Sequence, residues 1–161
     1  MLTINTVNIS LRQPGLAGAL LAAINRVPDE SGAELDDIPA IGQPWPDVDG
    51  VYAGISRGEG GEPDAHLVLL NTRPEERMSW DAAMKWAAEQ GDGARMPTRF
   101  ESALLYANLQ SEFDTGAYHW TSTQSSEDSA WSQYFNDGYQ SCYGKKFEAR
   151  VRLVRLIQLS A

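Results

Sequence analysis

The stretch from Tyr118 to Ile157, YHWTSTQSSEDSAWSQYFNDGYQSCYGKKFEARVRLVRLI, limits what this chain can fold into more than any other. Three short runs of β-type residues are separated there by Ser/Glu/Asp and Asn-Asp-Gly breaks, and the last run alternates apolar residues with arginines. The pattern predicts a strand, a hairpin and a closing strand. Asp137-Gly138 has the residues that supply positive backbone angles in a tight turn. A period of two puts Trp131 and Phe135 on one face, expected in the core, and Ser132 and Tyr134 on the other.

The preceding segments supply helices and more strands. Leu2 to Leu11 alternates like a strand, Leu16 to Val27 carries one helical apolar stripe, and Pro28 stops it. Asp29 to Asp49 is rich in acid, proline and glycine and is expected to be an irregular surface connection, with Ile38, Ile41 and Trp45 as its large apolar anchors. Val51 to Ser56 and His66 to Asn71 read as a hairpin with the glycine-rich tip RGEGGEPDA. GEGG is not a phosphate loop, because the Gly-Lys-Ser/Thr ending and a following helix are missing.

Ser79 is placed to cap a helix over Trp80 to Gln90, with Ala83, Met84, Ala87 and Trp80 or Trp86 turned inward, Asp81 and Lys85 paired outside, and Gly91 ending it. Thr98 and Glu101 form a capping box that starts a second helix through about Asn108, expected to bury Ala103, Leu104 and Ala107. Short helices between strands imply an α+β fold rather than a parallel βαβ sheet. Residues 1–50 are expected to form an N-terminal strand and helix arm with its acidic connection, and residues 51–161 the main domain.

At 161 residues and 42% hydrophobic content the chain can build a genuine core. Its net charge is −9, and between Asp29 and Asp64 ten acids face the single base Arg57. Such a surface repels phosphate backbones and argues against nucleic acid as a partner. Lys145, Lys146, Arg150, Arg152 and Arg155 gather late and are expected to solvate one strand and offset the acid. With Cys142 as the one cysteine, no intrachain disulfide forms and packing alone holds the domain together. The N-terminal residues lack a basic region before an apolar block, and LAGALLAAI is too short for a membrane span. The expectation is a protein of the cytoplasm or of a particle assembled there, with no membrane partner.

Trp80-Asp81-Ala82-Ala83, Arg95-Met96-Pro97-Thr98-Arg99-Phe100-Glu101, Tyr118-His119-Trp120-Thr121-Ser122-Thr123, Ala130-Trp131, Phe135-Asn136-Asp137-Gly138 and Arg150-Val151-Arg152-Leu153-Val154-Arg155 follow one another in an order that resembles the bacterial and phage C-type-lectin-like domains. The type in question also ends the Legionella collagen-like adhesin. More distantly, the chain is similar to formylglycine-generating sulfatase-modifying proteins and to receptor-binding proteins diversified by retroelements. The resemblance covers Val51 to Ile157 and leaves residues 1 to 50 unmatched. It implies a C-type-lectin-like α+β fold, a twisted antiparallel sheet flanked by two helices, and a ligand-facing surface on the late strands. It also implies a structural role for Arg150, Arg152 and Arg155, paired with buried acid or carbonyls.

Tyr134, Tyr139 and Tyr143 with Ser132, Gln140 and Ser141 combine flat amphipathic rings with small hydrogen-bonding groups, the composition of a paratope. Gln124 adds the Gln124 to Asp128 loop to the candidate site. A second reading has the tyrosines merely shielding the sheet. Glu62-Pro63-Asp64 and Asn136-Asp137 do not match the calcium loop and strand of animal lectins, so no metal or other cofactor is expected. The sulfatase-modifying chemistry needs a pair of cysteines, and no helix N-terminus precedes Cys142 to activate it beside His119. No catalytic residue is assigned. The expected function is non-catalytic binding, by a protein of phage or prophage origin, of a host or phage protein or a surface glycan. The alternative is an assembly component of a phage particle that forms homo-oligomers through the N-terminal arm.

Overall fold

The computed structural model describes residues 38–159. The strand and helix expected over Leu2 to Val27 lie outside them. The described domain is α+β, as expected, with two helices and antiparallel sheets. Its strands are β1 (Pro44–Trp45), β2 (Gly50–Ser56), β3 (Ala65–Leu70), β4 (Tyr118–Gln124), β5 (Ser129–Tyr134), β6 (Gln140–Gly144) and β7 (Val154–Gln158), and its helices α1 (Trp80–Glu89) and α2 (Arg99–Leu109). They form two sheets, ordered β1-β2-β3-β7 and β4-β5-β6.

β3 is buried at every position, which its nearly unbroken apolar run Ala-His-Leu-Val-Leu-Leu allows. Alternation sends Val68 and Leu70 into one core with Trp45, Tyr52, Trp80, Met96 and Trp120. Leu67 and Leu69 point into the other, with Leu105, Leu109, Phe113 and Phe135. A fully buried leucine stabilises by about 2 kcal/mol through removal from water, so this strand anchors both cores. Gly50 lets β2 start against the end of this strand: an added Cβ would stand 2.5 Å from the Leu69 carbonyl oxygen.

The connection expected from sequence on the surface ends inside the sheet. Trp45 pairs with Gly50 and is buried edge-on to Tyr52 and His66, whereas Ile38 and Ile41 remain exposed. A tryptophan beside a turn found an aromatic pocket, which local composition did not disclose.

The helices start differently. In α2 the Glu101 N–H donates to the Thr98 hydroxyl at 3.2 Å and the Thr98 N–H to the Glu101 carboxylate at 2.8 Å, the expected capping box. Ser79 makes no side-chain cap. The Trp80 N–H donates instead to the Lys145 carbonyl at 2.9 Å, an acceptor distant in sequence. Trp80, Ala83 and Ala87 are buried as expected, Trp86 is half-buried, and Met84 is exposed, contrary to expectation. The buried residues of α2 are Glu101, Ser102, Leu105 and Leu109 rather than Ala103, Leu104 and Ala107. Arg95 explains the rotation: its guanidinium holds Glu101 inside, and the helix face follows.

The closing run is not one strand. Ala149 to Leu153 passes from sheet to sheet, with the Arg150 N–H bonded to the Tyr118 carbonyl and the Leu70 N–H to the Leu153 carbonyl, before β7 pairs with β3. Val151 and Leu153 fill the first core. Arg152 donates to the carbonyls of Glu112 and Leu70, and Arg150 to the Glu75 carbonyl and Asp114.

Candidate functional site

The register of the three-stranded sheet decides which candidate residues stand together. Tyr118 faces Tyr134 and Trp120 faces Ser132 across β4 and β5. Ala130 faces Tyr143, Ser132 faces Ser141 and Gln133 faces Gln140 across β5 and β6. Strand alternation then puts Tyr134, Ser132, Ser141 and Tyr143 on one face and Gln140 on the opposite one. The seven candidates do not form one surface.

The first face carries an aromatic row. Tyr134 lies 5.1 Å from Tyr118, Tyr118 lies 4.8 Å from Tyr143, and Tyr143 stacks on Phe147 at 4.6 Å between centroids. The three tyrosines are half-buried and Phe147 is exposed. Toward the interior the same face holds Trp120, Ala130 and Ser132. Ser132 is fully buried, its hydroxyl donating to the Ser141 carbonyl at 3.2 Å, so it contributes to the sheet and not to an exposed surface. The packing of Trp120 and Ala130 into the core draws it in. Tyr118 and Phe147, which complete the row, were not singled out from sequence as site residues, because the register that sets Tyr118 opposite Tyr134 and the stacking of Phe147 on Tyr143 appear only in the folded sheet.

The opposite face is polar and pinned. Arg99 at the start of α2 lays its guanidinium 3.5 Å over the Trp131 ring and donates from Nε to Gln140 at 2.7 Å. The Gln140 amide donates back to the Arg99 carbonyl at 2.9 Å and to the Gln133 side chain at 2.8 Å. Trp131, expected in the core, is half-buried beneath this arginine, while Phe135 is fully buried against Phe113. The motif around Pro97 explains the tie between helix and sheet: the Pro97 carbonyl accepts the Ser122 N–H and the Arg99 N–H donates to Thr123.

The turn between β5 and β6 has a positive angle at Gly138 alone, not at both Asp137 and Gly138. The Gly138 N–H closes onto the Tyr134 carbonyl at 2.9 Å and the Asp137 carboxylate accepts the Tyr139 N–H at 3.0 Å. Tyr139 projects from this turn and is 59% exposed. Gln124 is exposed and accepts from Lys145 at 2.9 Å. Glu127 and Asp128 line a depression with Asp81, Lys145 and Lys146. Among the described residues no three His, Cys, Asp or Glu side chains gather as metal ligands.

His119 belongs to the core. Its ring meets Phe113 and Phe135 edge-on, and Nδ1 lies 3.2 Å from the Ala117 carbonyl. Burial depresses its pKa to about 4, against the hydrogen bond to Ala117, which favours the protonated ring. Cys142 is an exposed free thiol on β6.

No family model matches the chain, and no curated protein sequence matches it. Among solved structures, botrocetin, a snake C-type-lectin-like protein, is similar at 16% identity over 66% of this chain and 97% of its own, with a TM-score of 0.41. A chain of the complex between a mutant von Willebrand factor A1 domain and botrocetin is similar at 12% identity over 65% of this chain and 97% of its own, with a TM-score of 0.42.

Proposed function

We propose that the domain is a non-catalytic binding module of the C-type-lectin-like class, and that the rim of the three-stranded sheet contacts a protein or glycan partner. The observation that carries the reading is the aromatic row Tyr134, Tyr118, Tyr143 and Phe147, half-exposed and continuous on one face, with Tyr139 projecting from the adjoining turn. Tyrosine presents large contact area at low conformational cost, which suits recognition of a flat partner. Mutual packing pre-orders the rings and lowers the entropy lost on binding. Phage or prophage origin and a host receptor as partner are supported by the sequence resemblance, and residence in the host cytoplasm or a virion by the character of the N-terminal residues and the single cysteine.

The test is capture from bacterial lysate and envelope fractions, together with a glycan array, by the wild type and by Tyr139→Ala and Tyr134→Ser/Tyr139→Ala. Tyr139 makes no ring contact among the described residues, so its truncation leaves the fold intact and weakens binding. A partner held equally by all three proteins would rule out this surface.

A further inference from the structure

A cleft of about 500 Å³ lies between the segment Arg73 to Glu75, Asp114 and the crossing segment Arg150 to Arg152, with His119 in its wall. In a chain of net charge −9, three arginines meet there beside two acids, Glu75 and Asp114. Arg150 is engaged by Asp114 at 3.3 Å and by the Glu75 carbonyl at 2.7 Å. Arg152 is 7% exposed and has no carboxylate partner among the described residues. Its terminal nitrogens reach only carbonyls, one of them at 3.4 Å, and its buried Nε has no hydrogen-bond partner there. Arg73 is exposed and forms no ion pair among the described residues, and its charge acts on Arg152 unfavourably, partly offset by the charge of Glu112.

A buried cation short of partners costs free energy until an anion or sufficient dipoles surround it. Carbonyls, the Phe113 ring 5.0 Å from the guanidinium and the charge of Glu112 supply part of that here, and the Arg73 cation opposes it. We propose that this cleft binds an oxyanion, the carboxylate or phosphate group of a small ligand, between Arg73 and Arg152. Guanidinium groups match the paired oxygens of either group in charge and geometry. The volume falls in the range of small-molecule sites and exceeds what a bare ion fills, so the group arrives as part of a larger molecule. His119 completes the wall as a neutral ring: with Nδ1–H donating to Ala117, Nε2 keeps its lone pair. This site uses none of the residues of the tyrosine hairpin, so its failure would leave the hairpin reading standing.

The probes are inorganic phosphate, succinate and, at matched ionic strength, sodium chloride, titrated into the full chain while the ring resonances of His119 and His66 are followed by NMR. Phosphate or succinate is expected to move the His119 signals saturably and leave those of His66 in place, with chloride inert. Arg73→Gln, a surface change that spares the fold, should weaken the dissociation constant about tenfold, whereas Arg57→Gln should not. Response to phosphate alone assigns a tetrahedral group, and response to succinate alone a carboxylate. Absence of a His119 response to both, a response that chloride reproduces, or unchanged affinity in Arg73→Gln would overturn the proposal.

Discussion

The Glu101 carboxylate receives both terminal nitrogens of Arg95, at 2.6 and 2.7 Å, and also accepts the Thr98 N–H at 2.8 Å. One side chain therefore closes the helix cap and ties α2 to the segment before it. Glu101 is 5% exposed and Arg95 36%, so solvent screens one partner and the pair is worth less than a fully buried one. Glu101→Gln should lower stability by about 1–3 kcal/mol, and Thr98→Ala by about 1 kcal/mol through the cap alone. Because they share a carboxylate, the double variant should lose less than the sum of the two. Urea denaturation reads all three, and an unchanged midpoint in Glu101→Gln would show that the pair contributes nothing.

Gly138 is required twice over. Its φ of 78° lies where other residues are strained, and a Cβ there would stand 2.5–2.9 Å from ring atoms of Tyr106. Gly138→Ala is expected to destabilise by about 2 kcal/mol, of which about 1 kcal/mol belongs to the backbone and persists when Tyr106 is also truncated to alanine. Thermal unfolding of the single and double variants separates the parts. Equal costs of Gly138→Ala in both backgrounds would remove the ring contact from the account.

Arg99 over Trp131 predicts a change in fluorescence more than in stability. Arg99→Ala removes a cation–π contact worth about 0.5–1 kcal/mol and uncovers an indole that sequence alone placed in the core. Acrylamide should then quench an additional fraction of the tryptophan emission. Trp131→Phe in the same background should abolish that increment, and its persistence would assign the newly accessible indole elsewhere.

The capping box was legible because four consecutive residues contain the whole interaction, and β2 and β3 because their apolar runs end at strong breakers. The inward face of α2 was not legible, since Arg95, outside the helix, decides that Glu101 turns in. The hairpin shows the same limit. Alternation correctly separated Ser132 and Tyr134 from Trp131 and Phe135, but periodicity cannot say how far along each face the cover extends. Ser132 lies inward on the aromatic face beside Trp120, and Trp131 lies outward on the face that buries Phe135. Likewise the arginine run announced a strand, while the crossing between sheets at Ala149 to Leu153 depended on the carbonyl offered by Tyr118 and the N–H offered by Leu70.

Stability should depend on pH through His119. Burial among Phe113, Phe135 and the crossing arginines brings its pKa down to about 4, below the 6.5 of an unburied ring. The unfolded chain therefore binds the proton first as pH falls, and the stabilisation present above pH 6.5 is lost progressively until the folded ring titrates near pH 4. The full loss is about 3 kcal/mol. His66 is shifted downward by burial too and acts in the same direction. Asp114 is held below the usual carboxylate range, first by the Gly116 N–H and then by Arg150, and withdraws its contribution only at lower pH. Urea midpoints of the wild type between pH 7 and 4 should fall steeply, and those of His119→Phe, which keeps an aromatic ring between Phe113 and Phe135, should fall much less. Parallel curves for the two proteins would mean that His119 does not govern the acid limb.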